Sequence, residues 1–207
     1  MSSSRPTVHI ALYDTFADWE LGHLTTALNG DDFHQGPGYD VRYVGATLDP
    51  VTSMGGMRAL PDVLLHDLSP ADSAMLVLPG SQIWATEAYR PFVDKARDFL
   101  TAGTPVAAIC GATGALAQAG LLDDRAHTSN APEFLAALGY AGAAHYVDEP
   151  AVVDGDLVTA SGVAPVEFAR AALARLDAWS PEVLDSWFRL YRHQDPAGFH
   201  ELMAASS

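Results

Sequence analysis

Three short apolar runs decide most of what this chain can fold into. "TVHIALYD" (7–14), "SAMLVLPGS" (73–81) and "PVAAIC" (105–110) are apolar and partly β-branched, and each breaks off at a turn or at small residues. Such runs suit strands buried on both faces, as in parallel sheets. The segments after them read as helix. "ADWELGHLTTALNG" (17–30) spaces Trp19, Leu21, Leu24 and Leu28 close to helical period and stops at Gly30, and "AYRPFVDKARDFLTAG" (88–103) is amphipathic and stops at Gly103. "GATGALAQAGLL" (111–122) is a helix of small residues. Between and after these lie an alternating strand "YDVRYVGA" (39–46), a small hairpin and connector (52–68), two short strands around an Asp-Gly turn (145–162) and a strong helix "PVEFARAALARL" (165–176). Buried strands alternating with helices imply an α/β fold, a mostly parallel sheet with helices on both faces. In such sheets ligands sit beyond the carboxyl ends of the strands.

Composition narrows the partners. Eleven Lys plus Arg against 26 Asp plus Glu give a formal charge of −15, which repels phosphate backbones and anionic lipid, so nucleic acid and membrane are excluded as expected partners. No apolar run approaches the roughly 18 residues that span a bilayer. The start, "MSSSRPTVHIALYD", makes no convincing signal peptide, and a single cysteine allows no internal disulfide, so a cytoplasmic protein is expected. No Cys/His spacing suits zinc, and neither a G-x-G-x-x-G after a strand nor a Walker A loop is present; no metal and no cofactor are expected.

The single cysteine, Cys110, stands where the third apolar run meets a helix. A free cysteine is most often a small buried hydrophobe. A sharp strand-to-helix turn instead pushes its side chain out, and the free N–H groups of a helix N-terminus favour thiolate and a lowered thiol pKa. Glu20, in "YDTFADWE", reads either as a first-turn acid of a helix or as a carboxyl at the same sheet edge as Cys110. Half-buried there, it would have a raised pKa and could donate a proton.

These stretches together resemble the ThiJ/PfpI superfamily, the class I glutamine-amidotransferase-like group that includes the parkinsonism-associated deglycase. "ALYDTFADWE" looks like the family's first strand and acidic loop, "SAMLVLPGS" like its strand ending in Pro-Gly-Gly with Ser81 for the second Gly, and "AAICGATGALAQAGLL" like its nucleophile elbow. "LVTASGVAPVEFARAAL" matches its last strand and helix. The resemblance covers roughly residues 7 to 175 and implies a three-layer flavodoxin-like sandwich. It implies Cys110 as nucleophile, Glu20 as the acid, and the backbone N–H groups of Ser81 and Gly111 as an oxyanion hole. A third member, often His, is expected in "RAHTSN"; aligned there it falls on Asn130, while His127 lies 17 residues after Cys110 (127 − 110). His127 is either that third member or a buried histidine facing the core.

The expected activity is a cofactor-free, cysteine-dependent hydrolase, hydratase or lyase acting on a small carbonyl, amide or isonitrile. The alternative is a redox-sensing or stress-response protein in which Cys110 is oxidised without turnover. A glutaminase subunit would need a His base and a synthetase partner, and Asn130 weakens it. Residues 1–178 are expected to form the family domain and 179–207 a C-terminal helical extension packed on it. In that tail Val183, Leu184, Trp187, Phe188 and Tyr191 share one helix face, which with the resemblance points to a homodimer.

Overall fold

The apolar runs become the middle of a sheet because most of their side chains gain free energy on leaving water. The computed structural model describes residues 5–30, 33 and 38–206; residues 1–4, at the start of the stretch read for a leader, lie outside these. In chain order the elements are β1 (Thr7–Leu12), a 3-10 turn at Asp18–Glu20, α1 (Gly22–Asn29), β2 (Asp40–Gly45), β3 (Val51–Thr52), β4 (Arg58–Ala59), β5 (Val63–Leu64), β6 (Met75–Leu78), α2 (Arg90–Thr101) and β7 (Val106–Ile109). There follow α3 (Gly111–Gln118), α4 (Pro132–Ala136), β8 (Ala151–Asp154), β9 (Leu157–Ala160), α5 (Pro165–Arg175), α6 (Pro181–His193) and α7 (Pro196–Ala205).

Seven strands form one sheet in the order β5-β2-β1-β6-β7-β9-β8. Every pairing is parallel except β8 with β9, which the turn at Gly155 makes antiparallel. All residues of β6, β7 and β9 are buried. Helices cover both faces: α1 packs with α5, which lies on β8 and β9, while α2 lies on β6 and β7 beside α3. This is the expected mostly parallel α/β sandwich. β3 and β4 form a separate antiparallel ribbon.

Register sets the functional edge. Leu78 pairs with Ala108 and Ile109 with Ala160, so the three central strands end level with one another. The residues just beyond, Gly80, Cys110 and Gly162, therefore meet.

One element differs from expectation. The helix expected from residue 17 opens as a 3-10 turn, because Glu20 turns inward and is fully buried. The expected C-terminal helical extension is two helices, α6 and the ten-residue α7, the second capped by Asp195, whose Oδ1 accepts the Ala197 N–H at 3.0 Å. The tail's apolar stripe is largely covered by its own chain. Leu184 and Trp187 are buried, with the Trp187 ring 5.9 Å from Trp179 and 6.0 Å from His23, and Arg170 lies over the Phe188 ring. Only Tyr191, at the end of the stripe, is half exposed. The stripe by itself thus calls for no second subunit. Among the described residues no helix is long and apolar enough to cross a membrane.

Candidate active site

Cys110 sits at φ 61°, ψ −128°, a conformation costly for any residue with a Cβ. The surroundings hold it there. Its N–H donates to the Ala160 carbonyl at 3.0 Å, and its carbonyl accepts both the Thr113 N–H at 3.1 Å and the Thr113 hydroxyl at 2.6 Å. Thr113 is itself 2.6 Å from the Ser129 hydroxyl. A strained angle fixed at both peptides is the geometry of a nucleophile elbow: the side chain leaves the sheet edge instead of entering the core.

Two glycines make room for it. A Cβ on Gly80 would lie 3.0 Å from the Cys110 sulfur and 3.1 Å from Glu20 Oε1. A Cβ on Gly162 would lie 2.6 Å from the same sulfur and 3.1 Å from the same oxygen. The thiol and the carboxyl are thus packed side by side between the ends of β6 and β9.

Glu20 is completely buried. Its Oε2 accepts the Gly80 N–H at 2.7 Å, while Oε1 has no nitrogen or oxygen donor and faces the thiol. Burial outweighs the Gly80 hydrogen bond and raises its pKa from the ordinary 4.5 to about 7. The other side of the Pro79–Gly80 peptide is held as well: its carbonyl accepts from the Tyr13 hydroxyl, which lies 3.0 Å from that of Tyr89. This buried tyrosine pair beneath the site fixes the peptide that fixes Glu20.

The thiol itself does not follow the helix-terminus expectation. Burial and then the neighbouring Glu20 charge push the Cys110 pKa up, against the smaller pull of the Asn130 amide and the Gly111 N–H. The expected low pKa is therefore corrected: burial and the adjacent carboxylate favour the protonated thiol.

The structure brings Asn130 to the sulfur and leaves His127 elsewhere. Asn130 Nδ2 donates to Sγ at 3.4 Å, and its Oδ1 accepts the Gly162 N–H at 2.8 Å. His127 is fully buried, with Nδ1 donating to the Arg125 carbonyl at 2.7 Å and Nε2 3.1 Å from the Tyr140 hydroxyl. The Arg125 carbonyl can only accept and so fixes a proton on Nδ1, while burial lowers the imidazole pKa.

The two amides expected as an oxyanion hole sit at the same edge. The Gly111 N–H faces the sulfur. The Gly80 carbonyl accepts the Ala17 N–H at 2.8 Å, so in this trans peptide the Ser81 N–H points the other way, away from the acidic loop. The Ser81 hydroxyl is buried without a partner.

Three participants escape a reading of the sequence. Gly162 is one, although "ASG" after the last strand could have marked it by analogy with "LPG". Trp19, half exposed, donates from Nε1 to the Gly162 carbonyl at 3.2 Å and forms part of the rim. Thr15, at φ 61°, accepts the Gln82 N–H on Oγ1 at 3.0 Å and ties the acidic loop to the segment after Ser81. Trp84 packs on Gly111 and Gly114, with its ring 5.3 Å from that of Phe134. An open groove bordered by Ser129, Asn130, Tyr146 and Val163 lies on the far side of Asn130, and Cys110 does not line it. Among the described residues no group of three or more His, Cys, Asp or Glu is placed to hold a metal.

The sequence pattern of the DJ-1/PfpI family matches residues 6–175. The chain belongs to the DJ-1/PfpI family. This DJ-1/PfpI chain is 38% identical over 200 residues, 95% of each chain, to a Bacillus subtilis protein described as the uncharacterized protease YoaZ. It superposes on the crystal structure of a thiJ/pfpI family protein from Bacillus anthracis with a TM-score of 0.92 at 39% identity, covering 98% of this chain and 99% of that one. For a DJ-1 superfamily protein from Agrobacterium tumefaciens the TM-score is 0.81 at 36% identity, with 91% and 98% covered.

Proposed function

We propose that this DJ-1/PfpI protein is a cysteine-dependent hydrolase, hydratase or lyase that works without a cofactor on a small carbonyl, amide or isonitrile. The observation that carries the reading is the Glu20 carboxyl buried against the Cys110 sulfur between Gly80 and Gly162. A carboxyl that titrates near neutral pH can both take a thiol proton and return it. In the first step the Cys110 proton passes to Glu20 and the sulfur forms a bond to the electrophilic carbon of the substrate. With a carbonyl or amide the displaced π pair moves onto oxygen, and the N–H groups of Gly111 and Ser81 stabilise the charge until Glu20 returns the proton; with an isonitrile the attacked carbon takes that proton and a thioimidate forms. The word protease attached to the Bacillus subtilis relative belongs to the amide arm of this reading.

One observation favours the redox alternative. Glu20 Oε1 meets only the Cys110 sulfur, so when protonated it can hydrogen-bond an oxidised sulfur, and Cys110 has no second cysteine to resolve it.

Turnover decides between them. Small aldehydes, ketones, amides and isonitriles are supplied to the parent, Cys110→Ser and Glu20→Gln proteins, and product is measured. The expected result is turnover of one class that falls at least about a hundredfold in both variants, within the range general acid–base groups contribute. Turnover that survives Cys110→Ser, or no turnover of any class by the parent, contradicts the enzyme reading.

A further inference from the structure

A chain of three hydrogen bonds runs from the rim to the sulfur. The half-exposed Trp19 donates from Nε1 to the Gly162 carbonyl at 3.2 Å. The Gly162 N–H donates to Asn130 Oδ1 at 2.8 Å. Asn130 Nδ2 then donates to Cys110 Sγ at 3.4 Å. The middle link decides the last. A backbone N–H can only donate, so the amide oxygen must face Gly162, and the amide nitrogen is left facing the sulfur. Rotating the side-chain amide by half a turn would set its NH2 against the Gly162 N–H and its oxygen against the thiolate, both unfavourable.

An amide in this place differs from an imidazole in one respect that matters. It can donate to a thiolate, but it can neither take a proton from a thiol nor give one to a substrate. We infer that Asn130 is a positioning residue, a fixed N–H donor to the Cys110 thiolate held in orientation by Gly162 and Trp19, and that Glu20 is the sole proton carrier of the site. The inference rests on the Cys110–Glu20 chemistry proposed above and says which version of it this chain performs. With one carrier, the proton that leaves the thiol returns to the adduct that the thiolate has formed. With a carbonyl the S–C bond forms, the C=O π bond breaks, its electron pair goes to oxygen and oxygen takes the proton from Glu20; with an isonitrile the S–C bond forms at the terminal carbon, one C–N π bond breaks, and the attacked carbon takes the proton to give a thioimidate.

The other ionisable groups around the sulfur do not supply a second carrier. Tyr13 and Tyr89 lie beneath it, and burial raises both hydroxyl pKa values, so they stay neutral. His127 is turned to Arg125 and Tyr140.

The test reads the thiol without any substrate. The rate of Cys110 alkylation by iodoacetamide is measured against pH for the parent, Asn130→Asp, Asn130→Ala and Trp19→Phe, with thermal melting as a check of folding. Asn130→Asp keeps an acceptor for the Gly162 N–H and replaces the donor to sulfur by an anion. Its thiol midpoint is expected to move up by more than about one unit, with a loss of at least about tenfold in rate at neutral pH, the scale of a lost charge-assisted hydrogen bond. Asn130→Ala is expected to shift it up by about one unit and Trp19→Phe by less in the same direction. Asn130→Ala decides, because it removes the donor without adding a charge: a merely structural asparagine would leave its profile where the parent's is, and that result overturns the inference. An unchanged Asn130→Asp profile, in spite of the added charge, overturns it too. An unchanged profile leaves the Cys110–Glu20 reading standing, and a failed substrate screen leaves the profile shift standing.

Discussion

At the scale of single residues, Glu20 is the unusual one: a fully buried carboxyl whose outer oxygen meets a thiol and no other donor. Its pKa of about 7, against the ordinary 4.5, has a consequence for stability. Between those two values the folded chain holds a proton that the unfolded chain has released, so stability falls as pH rises through this window and levels off above it. Glu20→Gln, neutral at every pH, is expected to remove that slope. Denaturant unfolding should show the variant more stable than the parent above pH 7, by on the order of 3 kcal/mol, with the gap closing toward pH 4.5. A parent whose stability is level across the window contradicts this. The sequence makes Glu20 legible only as an acid near a sheet edge. Its burial depends on the 3-10 turn and on the Gly80 N–H, tertiary facts that no local spacing encodes. For the same reason the sequence misleads on the thiol pKa, because a helix terminus is visible in it while the desolvation opposing that terminus is not.

At the scale of elements, the site is a matter of three strand ends kept level. Gly80 and Gly162 flank the elbow, and a methyl group on either would collide with the sulfur. Gly162→Ala is expected to leave the fold intact, as the last strand is otherwise unchanged, but to slow Cys110 alkylation and any turnover by at least about tenfold through displacement of the thiol, since misplacement of about an ångström costs up to a hundredfold. A variant with parental rates contradicts the close packing of the thiol. Strands β1, β6 and β7 and helices α2, α3 and α5 are readable in the sequence because long apolar runs and helical periods are local signals. The five-residue α4 is not, because nothing apolar repeats in so short a span and its place is set by what it packs against. His127 and Asn130 show the same limit. They are three residues apart on an irregular segment, and only the tertiary structure says that the amide reaches the sulfur while the imidazole is buried against Tyr140.

At the scale of the whole molecule, the tail is bound into the body of the fold. Trp187 is buried among Trp179, His23 and Tyr191, and Arg189 joins α6 to Asp195 at 2.6 Å and to Glu201. Trp187→Ala is expected to cost roughly 3–5 kcal/mol in denaturant unfolding, as for other large aromatics removed from a core; a change under about 1 kcal/mol would show the tail to be loosely attached. The homodimer stays a proposal that the tail no longer supports: light scattering should give twice 22.0 kDa, and a mass near 22.0 kDa contradicts it. One proton shared between Cys110 and Glu20 near neutral pH is the centre of the proposed chemistry. Infrared difference titration, parent minus Glu20→Gln, reads that carboxyl directly. The protonated-carboxyl band should disappear with a midpoint near pH 7 and shift when Cys110 is alkylated; a midpoint near the ordinary 4.5 with no response to alkylation would contradict it.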